Sequence, residues 1–415
     1  WDRLILGISE GNLKLSFSTN VTSDSKILIN RNILNRIKTI MPGLMYDTNP
    51  YMVITDDGRL TWVIDAYTTS NNYPYSTSTT IIHSNERKVI NYIRNSVKVL
   101  VDAYDGTVNF YLTDKTDPIA MSYNNMYPTL FTQGDIPEDI SKHIVYSEYL
   151  YNIQARMISL YHDVQTEVLY RTDDVWAIAN QNLANLQNNA TTTIKPYYTV
   201  VKTVDSENAE LGLVVPYTQS GKQSIVSYLV GTYNHNTKAK LTLYKYKEGS
   251  NILGPNQLDT QIEEDEKLSR EIASINVTGT RITRDMIIVP IDNTLLYVEP
   301  IYQVMLNETQ EPRLKKVVVA SGTKLAIGNN LEEALTNLFS QYAIDIEIEN
   351  TETVQDLVKE IIKANNNLKE SSQNNDWKLI GRDLEKLQTL INELEVKVNE
   401  ENALKQERAK EEQQN

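Results

Sequence analysis

Residues 51–65 read YMVITDDGRLTWVID, and residues 97–112 read VKVLVDAYDGTVNFYL. In both stretches, β-branched and aromatic residues flank an Asp–Gly pair, which is Asp57–Gly58 in the first and Asp105–Gly106 in the second. An Asp–Gly pair readily adopts the positive φ angles that tight hairpin turns require. The two stretches therefore predict two β-hairpins. Asp105–Gly106 does not match a calcium loop, since the alternating acidic positions and the final Glu are missing.

Helical and strand patterns alternate outward from these hairpins. Apolar residues recur at helical spacing in Asn30–Ile40 and Ser147–Leu160, and more weakly in Val175–Leu186. The polar stretch Asn182–Thr193 is typical of a surface crossing, and we place a domain boundary there. Beyond it, the patterns predict helices over Gln223–Val230, Glu264–Ile275 and Leu331–Phe339, and strands over Tyr197–Val204, Leu211–Pro216, Ala239–Tyr246, Met286–Ile291, Leu295–Tyr302, Lys316–Ala320 and Leu325–Ile327.

The composition changes after about Glu349, where Glu, Lys, Asn and Gln dominate. Apolar residues then follow alternating gaps of four and three, the pattern of a coiled coil or helical hairpin, at Ile380, Leu384, Leu387, Ile391, Leu394 and Val398. The last residues, 401–415, lose this pattern and are expected to fray. The sequence thus predicts an α+β fold, with an N-terminal domain over 1–190 that holds two hairpins, a second domain over 191–347 and a helical tail over 348–415.

Composition excludes several classes of function. A chain of 415 residues is too long for one core, and its formal net charge of −14 disfavours nucleic acid as a partner. The absence of cysteine removes disulfides, thiolate nucleophiles and cysteine-based metal sites. The longest apolar runs, such as Met286–Ile291, have only the length of a strand, so no membrane span is predicted. We expect no cofactor, and we expect Trp1 to mark a cut in a longer protein.

Several segments are similar in sequence to one known family. They are Asn49–Pro50–Tyr51, residues 57–60, Trp62, residues 64–70, residues 73–76, residues 91–98, residues 101–106, Tyr127–Pro128, Phe131, Gly254–Pro255, Gln257, residues 289–291, residues 295–300 and Tyr302. Over roughly residues 3–345, the chain resembles uncharacterised protein family 0182.

The resemblance implies a bacterial membrane protein with an N-terminal block of transmembrane helices and a large water-soluble portion outside the cytoplasm. This chain would be that soluble portion, on the extracytoplasmic face of the cell membrane. Its first partner would be the membrane-embedded N-terminal part of the same protein, with an envelope polymer or another protein as a further partner. The family brings no established activity or catalytic residue.

Polar and aromatic side chains gather around the two hairpins. Asp65–Ala66–Tyr67 and Asp102–Ala103–Tyr104 have the same form at the ends of apolar strands. If these strands pair, Asp65 and Asp102 could face one another and share a proton, hold a divalent cation or flank a glycosidic bond. In the structural alternative, each aspartate caps a turn and Arg94 or Lys98 neutralises it. The further binding candidates are Tyr67, Thr68, Tyr73, Tyr75, Arg94, Asn95, Lys98, Tyr104 and Asp105.

Two other patterns are better explained without chemistry. Residues 7–11 match the Gly-x-Ser-x-Gly string of a nucleophile elbow, which needs a strand before it and a helix after it. Leu4–Ile8 indicates a strand only weakly and Asn12–Ser18 resembles a second strand, so a chance match is favoured. The histidines are scattered without the spacing of metal ligands, at His83, His143, His162 and His235.

Three functions stay open at this point. The favoured one is a non-catalytic extracytoplasmic binding or scaffolding module that uses tyrosine-bearing surfaces, since the chain has 25 Tyr beside 4 Phe and 4 Trp. The second is a cell-envelope polymer hydrolase with Asp65 and Asp102 as acid and base. The third is an assembly domain that depends on a divalent cation. An enzymatic role is uncertain and is disfavoured.

Overall fold

A computed structural model describes residues 2–20, 22, 25, 30–163, 165–171, 174–182, 191–203, 206, 208–234, 238–247, 249–250, 252–291, 294–306, 311–349, 352–373, 386–387, 390–391, 394 and 397–398. They fall into two compact units, each built from separated segments. Unit 1 holds Trp1–Ile178, Lys195–Ser220 and Val226–Glu248, and unit 2 holds Ala179–Ile194, Gly221–Ile225 and Gly249–Asn415. The division into domains over 1–190, 191–347 and 348–415 stays a prediction.

The α+β class is confirmed by the elements themselves. The helices are α1 (Asp2–Ser9), α2 (Leu13–Phe17), α3 (Ile33–Ile40), α4 (Pro118–Met126), α5 (Glu138–Ser141), α6 (Glu148–Tyr161), α7 (Thr166–Arg171), α8 (Pro255–Glu264), α9 (Glu266–Ile275), α10 (Leu331–Glu349) and α11 (Glu352–Gln373). The strands are β1 (Met45–Tyr46), β2 (Tyr51–Ile54), β3 (Leu60–Ser70), β4 (Thr79–His83), β5 (Glu86–Ile90), β6 (Tyr92–Asp102), β7 (Val108–Leu112), β8 (Trp176–Ile178), β9 (Asn180–Asn182), β10 (Thr191–Thr193), β11 (Tyr197–Val201), β12 (Glu210–Gln219), β13 (Ile225–Asn234), β14 (Lys238–Lys245), β15 (Thr280–Arg284), β16 (Ile287–Ile291), β17 (Thr294–Met305), β18 (Arg313–Ser321) and β19 (Lys324–Gly328).

The first sheet of unit 1 is antiparallel, in the order β1-β3-β6-β7, with β2 also paired to β3. Both predicted hairpins are confirmed as β2–β3 and β6–β7, and their turn residues Gly58 and Gly106 have φ angles of +80° and +72°. The sheet is covered on both faces. Ile64, Val97 and Val99 pack with α3 on one face, and Val63 and Leu100 pack with α5 on the other, as pleated alternation requires.

A second antiparallel sheet of unit 1 has the order β11-β12-β13-β14, with β8 beside β12. Helix α6 binds this sheet through buried tyrosines: Tyr151 Oη donates to the Leu229 carbonyl at 2.7 Å, and Tyr217 Oη donates to the Ala155 carbonyl at 2.8 Å. The helices predicted over Val175–Leu186 and Gln223–Val230 are wrong, since those residues contribute to β8, β9 and β13. In β13, side chains on both faces are buried, which removes the alternation that marks a strand.

The first residues of unit 1 also differ from the sequence expectation. Residues 2–9 and 13–17 form helices α1 and α2 where strands were expected. The Gly7–Gly11 string therefore lies in α1 and the turn that follows it, and it lacks the strand that a nucleophile elbow needs.

Unit 2 is built on an antiparallel sheet in the order β15-β17-β18-β19, with β16 beside β17. Helix α10 covers it by packing Ala334 and Leu338 against Val317 and Val319. The described residues from 386 to 398 are helical, as the tail pattern predicted. Ile380, Leu384 and the expected fraying over 401–415 lie outside the described residues. Among the described helices, none has the length and apolar character needed to cross a membrane.

A buried charge cluster lies between α8 and the sheet of unit 2. Glu299 on β17 is 3% exposed, and its Oε1 lies 3.6 Å from Nε of Arg284. Arg284 also binds Glu263 at 3.2 Å, and the neighbouring Asp259 is buried too. Burial raises the pKa of Glu299 to about 7, against the effect of Arg284 and with a further contribution from the charge of Asp259. Glu299 therefore stays protonated in the folded chain at mildly acidic pH, where a glutamate in the unfolded chain is already ionised.

This cluster predicts that unit 2 loses stability as the pH rises through neutrality. A pKa that is higher in the folded than in the unfolded chain gives a stabilisation that is complete below about pH 4.5 and is lost as the pH rises through about 7. The loss should approach about 1.4 kcal/mol per pH unit at its steepest. Urea unfolding between pH 5 and 8 measures it. Glu299→Gln should remove this contribution, whereas Glu264→Gln, on an exposed part of α8, should follow the wild type. Parallel wild-type and Glu299→Gln profiles would contradict the assignment.

Candidate functional site

The register of β3 and β6 separates the two aspartates that the sequence paired. The strands are neighbours as expected, but Asp65 lies opposite Lys98 and Asp102 lies opposite Thr61. Asp65 and Asp102 are therefore four positions apart along the ladder, about 13 Å at the usual rise per residue. The expectation that they face one another is wrong, because antiparallel pairing places the end of β6, where Asp102 lies, beside the start of β3.

Asp102 lies at the exposed end of the sheet and caps a turn. Its Oδ2 accepts from Arg59 at 2.7 Å, and its Oδ1 accepts from the backbone amides of Tyr104 at 2.7 Å and Asp105 at 3.1 Å. The hydrogen bond from Arg59 lowers the pKa of Asp102. Its neutralising partner is thus Arg59, neither Arg94 nor Lys98. Tyr104 adds a ring 5.0 Å below the Arg59 guanidinium.

Asp65 and Lys98 form a buried ion pair in the middle of the sheet. Their side chains are only 7% and 2% exposed. Oδ1 of Asp65 accepts from Nζ of Lys98 and also from Nδ2 of Asn95 at 2.9 Å. The Lys98 ammonium lies 5.3 Å from the ring centre of Tyr233, which faces it from β13. Three of the predicted candidates are therefore brought together, with Asp65 as the common acceptor.

A second buried acid, Asp47, lies close to the Asp65–Lys98 pair. Tyr67, whose side chain follows Asp65 on the same face, donates from Oη to Oδ2 of Asp47 at 2.5 Å and lies 2.6 Å from Oγ of Ser147. Ser147 in turn caps α6 by accepting from the Leu150 amide at 3.1 Å. Burial raises the pKa of Tyr67 well above its usual range, with further contributions from Asp65 and Asp47. The phenol therefore stays protonated and keeps its role as a donor.

Thr68 belongs to a different network because the ladder is irregular between Ala66 and Thr68. It donates to Asp117, which also accepts from Ser96, from Tyr92 at 2.7 Å and from the Ile119 amide at 3.0 Å. Burial would raise the pKa of Asp117, but these hydrogen bonds outweigh it and lower the pKa. Asp117 caps α4, and nothing in the sequence patterns singled it out. Arg94 lies beside this network and binds Asp114 at 3.1 Å.

Tyr73 and Tyr75 lie on an exposed loop. The Asn91 side chain bonds the loop backbone at Tyr73 with distances of 2.9 and 2.7 Å, and the Tyr73 ring stacks on Tyr92 at 4.8 Å. Tyr75 is fully exposed and has a φ angle of +57°, which is unusual for a bulky residue. These tyrosines form a surface feature that is separate from the Asp65 group.

Next to Asp65 lies a cavity of about 320 Å³ within unit 1. Its wall comes from the end of β1, from β2 and β3, from the start of α6 and from β11. The lining residues are Asp47, Thr48, Asn49, Tyr51, Asp65, Val145, Ser147, Glu148, Tyr149, Asn152 and Tyr198. Of the sequence candidates, only Asp65 lines it. The other lining residues were missed as site residues, although Tyr51, Ser147 and Tyr198 lie in elements that the sequence patterns predicted.

The cavity is acidic. Asp47, Asp65 and Glu148 line it, and among the described residues of its wall none is basic. The pKa of the Tyr198 phenol is raised by burial and then by Glu148, Asp65 and Asp47, so all three carboxylates act on one point of the wall.

Tyr51 adds an unsatisfied group to this wall. Its phenol oxygen is buried and has no hydrogen-bond partner among the described residues. Burial and the charge of Asp65 raise its pKa. The nearby Val145 backbone lowers it, although no hydrogen bond of ordinary geometry joins the two. An unpaired buried polar atom is costly unless something binds it.

The remaining candidates for metal chemistry do not converge. Within the part of the chain that the structure describes, no group of three or more His, Cys, Asp or Glu side chains could hold a metal ion. His83 packs against the Tyr149 ring, and His162 stacks on Trp176 at 3.6 Å. His235 lies outside the described residues. The cation-dependent assembly hypothesis therefore gains no support.

The buried pair predicts an asymmetric response to mutation. Lys98→Met leaves Asp65 buried without its counter-ion and should cost about 3–5 kcal/mol of unfolding free energy. Adding Asp65→Asn should recover most of that loss, because the remaining group is neutral and keeps its bond to Asn95. Urea unfolding followed by circular dichroism measures both. Arg59→Met, which breaks the exposed pair with Asp102, is the control and should leave the midpoint nearly unchanged. Equal losses in the single and double variants would contradict this assignment.

Comparison with known proteins places these residues in a family. The model of the uncharacterised protein family (UPF0182) matches residues 1–275. A UPF0182 protein of Caldicellulosiruptor saccharolyticus is 35% identical over 401 residues, which cover 94% of this chain and 43% of that protein. A UPF0182 protein of Desulfitobacterium hafniense is 37% identical over 346 residues, which cover 82% of this chain and 35% of that protein.

A third relative, a UPF0182 protein of Clostridium acetobutylicum, is 34% identical over 405 residues, which cover 95% of this chain and 43% of that protein. No solved structure matches the chain. The chain spans about two fifths of the length of these relatives. Since the family model matches well over half of its residues, the chain belongs to the uncharacterised protein family UPF0182, as the sequence resemblance predicted.

Proposed function

We propose that this chain is a non-catalytic binding module that holds a small polar ligand in the cavity beside Asp65. The observation that carries the proposal is the cavity itself, of about 320 Å³, lined by three carboxylates and by the unpaired phenol oxygen of Tyr51. Known ligand sites are concave, of about 300–1,000 Å³, and combine apolar walls with a few placed polar groups.

The walls of this cavity are preorganised. Asp65 is fixed by a buried contact with Lys98 and a partly buried one with Asn95, and Asp47 is fixed by a buried contact with Tyr67. A site whose side chains are already held in place spends less free energy on ordering when a ligand binds. The polar groups buried beside the cavity are therefore better suited to recognition than to stability alone.

The hydrolase alternative has less support. It required two carboxylates about 5–9 Å apart. The register places Asp102 about 13 Å from Asp65 by the rise of the strand. Asp102 is also already paired with Arg59. A general acid needs a raised carboxyl pKa. Asp102 has a lowered pKa instead.

We further propose that the module lies on the extracytoplasmic face of the membrane, as a partner of a membrane-embedded N-terminal part of the same protein. The resemblance to the family supports this placement. The relatives are more than twice as long as the segment they share with this chain, which leaves ample length for such a part. An envelope polymer or a protein could reach the exposed Tyr73 and Tyr75.

Binding can be tested by blocking the cavity. Asn152→Trp introduces a large side chain into the wall from α6, and Arg156→Trp introduces the same side chain at an exposed position of that helix. A panel of small polar compounds that are cationic, anionic or neutral is screened by thermal shift and NMR. A compound that raises the melting temperature of the wild type and of Arg156→Trp, but not of Asn152→Trp, supports the proposal. If no compound in the panel binds, or if binding survives in Asn152→Trp, the proposal fails.

The location can be tested with a single introduced thiol, because the chain has no cysteine. Tyr75→Cys places that thiol at a fully exposed position of the full-length protein. A membrane-impermeant maleimide should label it in intact cells. Wild-type protein and Ala66→Cys, at a buried position, are the controls and should stay unlabelled. Labelling of Tyr75→Cys only after lysis would place the module in the cytoplasm.

A further inference from the structure

We propose that the cavity beside Asp65 binds a small organic cation, a molecule that carries an ammonium group. The inference rests on the proposed binding function and names the class of ligand. It follows from three properties of the wall, which are its charge, the use of its hydrogen-bond donors and its aromatic content.

The charge of the wall favours a cation. Asp47, Asp65 and Glu148 each carry a carboxylate, while the basic group closest to them in the ladder, Lys98, is already bonded to Asp65. Lys98 and the more distant Arg156, whose charge acts on Tyr149, therefore offset only part of the three negative charges. The N-terminus of α6 contributes a partial positive charge, but Ser147 accepts from the first turn and Glu148 occupies its first position. An anion would meet net repulsion here.

Three side chains of the wall donate hydrogen bonds within the protein. Tyr198 Oη donates to the Tyr146 carbonyl at 2.8 Å, Tyr149 Oη donates to the Ile82 carbonyl at 3.2 Å, and Asn152 Nδ2 donates to the Glu148 carbonyl at 2.9 Å. The phenol protons of Tyr198 and Tyr149 and one of the two amide protons of Asn152 are therefore committed, whereas the phenol of Tyr51 has no partner among the described residues.

Acceptors, in contrast, remain in excess. Asn95 and Lys98 both donate to Oδ1 of Asp65, and among the described residues no side-chain donor reaches Oδ2. The carboxylate of Glu148 is exposed at the cavity. A ligand that fits must bring more donors than acceptors, and an ammonium group has three donors and no acceptor. A single hydroxyl on the same molecule can pair with the phenol of Tyr51, which has no partner among the described residues. A sugar, which presents donors and acceptors together, matches this wall less well.

Aromatic side chains complete the match. Tyr51, Tyr149 and Tyr198 all line the cavity. Tyrosine rings attract cations, and cages of several such rings bind methylated ammonium groups in other proteins. The volume of about 320 Å³ is at the lower end of ligand sites, which fits a molecule of a few carbon atoms. A bare divalent metal is a poorer occupant, because no set of three acidic side chains among the described residues could hold one.

The experiment compares a cation with a neutral molecule of the same shape. Ethanolamine and choline are the cationic probes: the ammonium group of ethanolamine has three N–H donors, whereas the quaternary nitrogen of choline has none and tests charge and aromatic contact alone. The neutral probe is dimethylbutanol, in which a carbon replaces the nitrogen of choline. Binding to the purified chain is measured by calorimetry and by thermal shift. Either cation should bind, the neutral probe should bind at least roughly tenfold more weakly, and added salt should weaken the binding of the cation.

Variants tie the effect to the wall. Glu148→Gln removes a charge from an exposed lining residue, and it should weaken binding of the cation by roughly three- to tenfold. Asp47→Asn should do the same, provided that circular dichroism shows a folded chain. Glu167→Gln, an exposed glutamate on α7 outside the wall, is the matched control and should bind as the wild type does.

The outcomes separate the ligand class from the binding function. Equal binding of choline and its neutral counterpart overturns the cation inference, and so does binding of neutral or anionic compounds without any of the ammonium probes. In both cases the proposed function stands if Asn152→Trp abolishes that binding. Cation binding that is unchanged in Glu148→Gln and in Asn152→Trp lies elsewhere on the chain and overturns both proposals.

Discussion

The cross-strand pair of Asp65 and Lys98 is the constraint on which the rest of unit 1 depends. Both charges are buried in the middle of the first sheet, so each requires the other. A slip of the ladder by one residue would turn one strand over relative to its partner and bring its buried charge onto the face where Ile64 and Val97 pack with α3. The pair and the apolar pattern therefore specify one register. That register also determines that Asp102 meets Arg59 at the exposed end of the sheet.

The same pair organises the polar residues around it. Asp65 points to the face that carries Tyr67, and Tyr67 connects β3 to Asp47 after β1 and to Ser147 at the start of α6. These contacts join segments that are 20 and 80 residues apart in the chain. Burying each of these polar groups has a desolvation cost that an apolar side chain at the same position would not have. Their concentration beside one cavity is a physical reason to connect them with recognition.

Local sequence chemistry predicted part of this architecture. Asp–Gly pairs fixed both hairpins, and helical spacing located α3 and α6 to within three residues. It failed where the pattern was ambiguous. Ile225–Asn234 is a strand buried on both faces, which reads like a helix over a short window. Helix α8 was missed although Gly254, Pro255 and Gln257 form its start, because its polar surface hides the apolar stripe.

The site was harder to predict than the fold, since its residues share no local pattern. Asp65 was singled out, and Asn95 and Lys98 were named beside it, because all lie on the paired strands. Asp47, Glu148 and Tyr198 reach the same cavity from β1, α6 and β11, and only the tertiary fold brings them there. Sequence reasoning could identify the strands that carry a carboxylate. It could not identify which carboxylate would face a cavity.

The number of donors at each acid distinguishes a structural role from a binding role. A carboxylate can accept about four hydrogen bonds. Asp117 is fully buried and accepts from Thr68, Ser96, Tyr92 and the Ile119 amide, so its capacity is filled by the protein. Asp65 and Asp47 each accept from two donors, and both border the cavity. Asp117 is thus complete as a helix cap. Asp65 and Asp47 keep acceptor capacity on the side where a ligand with donors can use it.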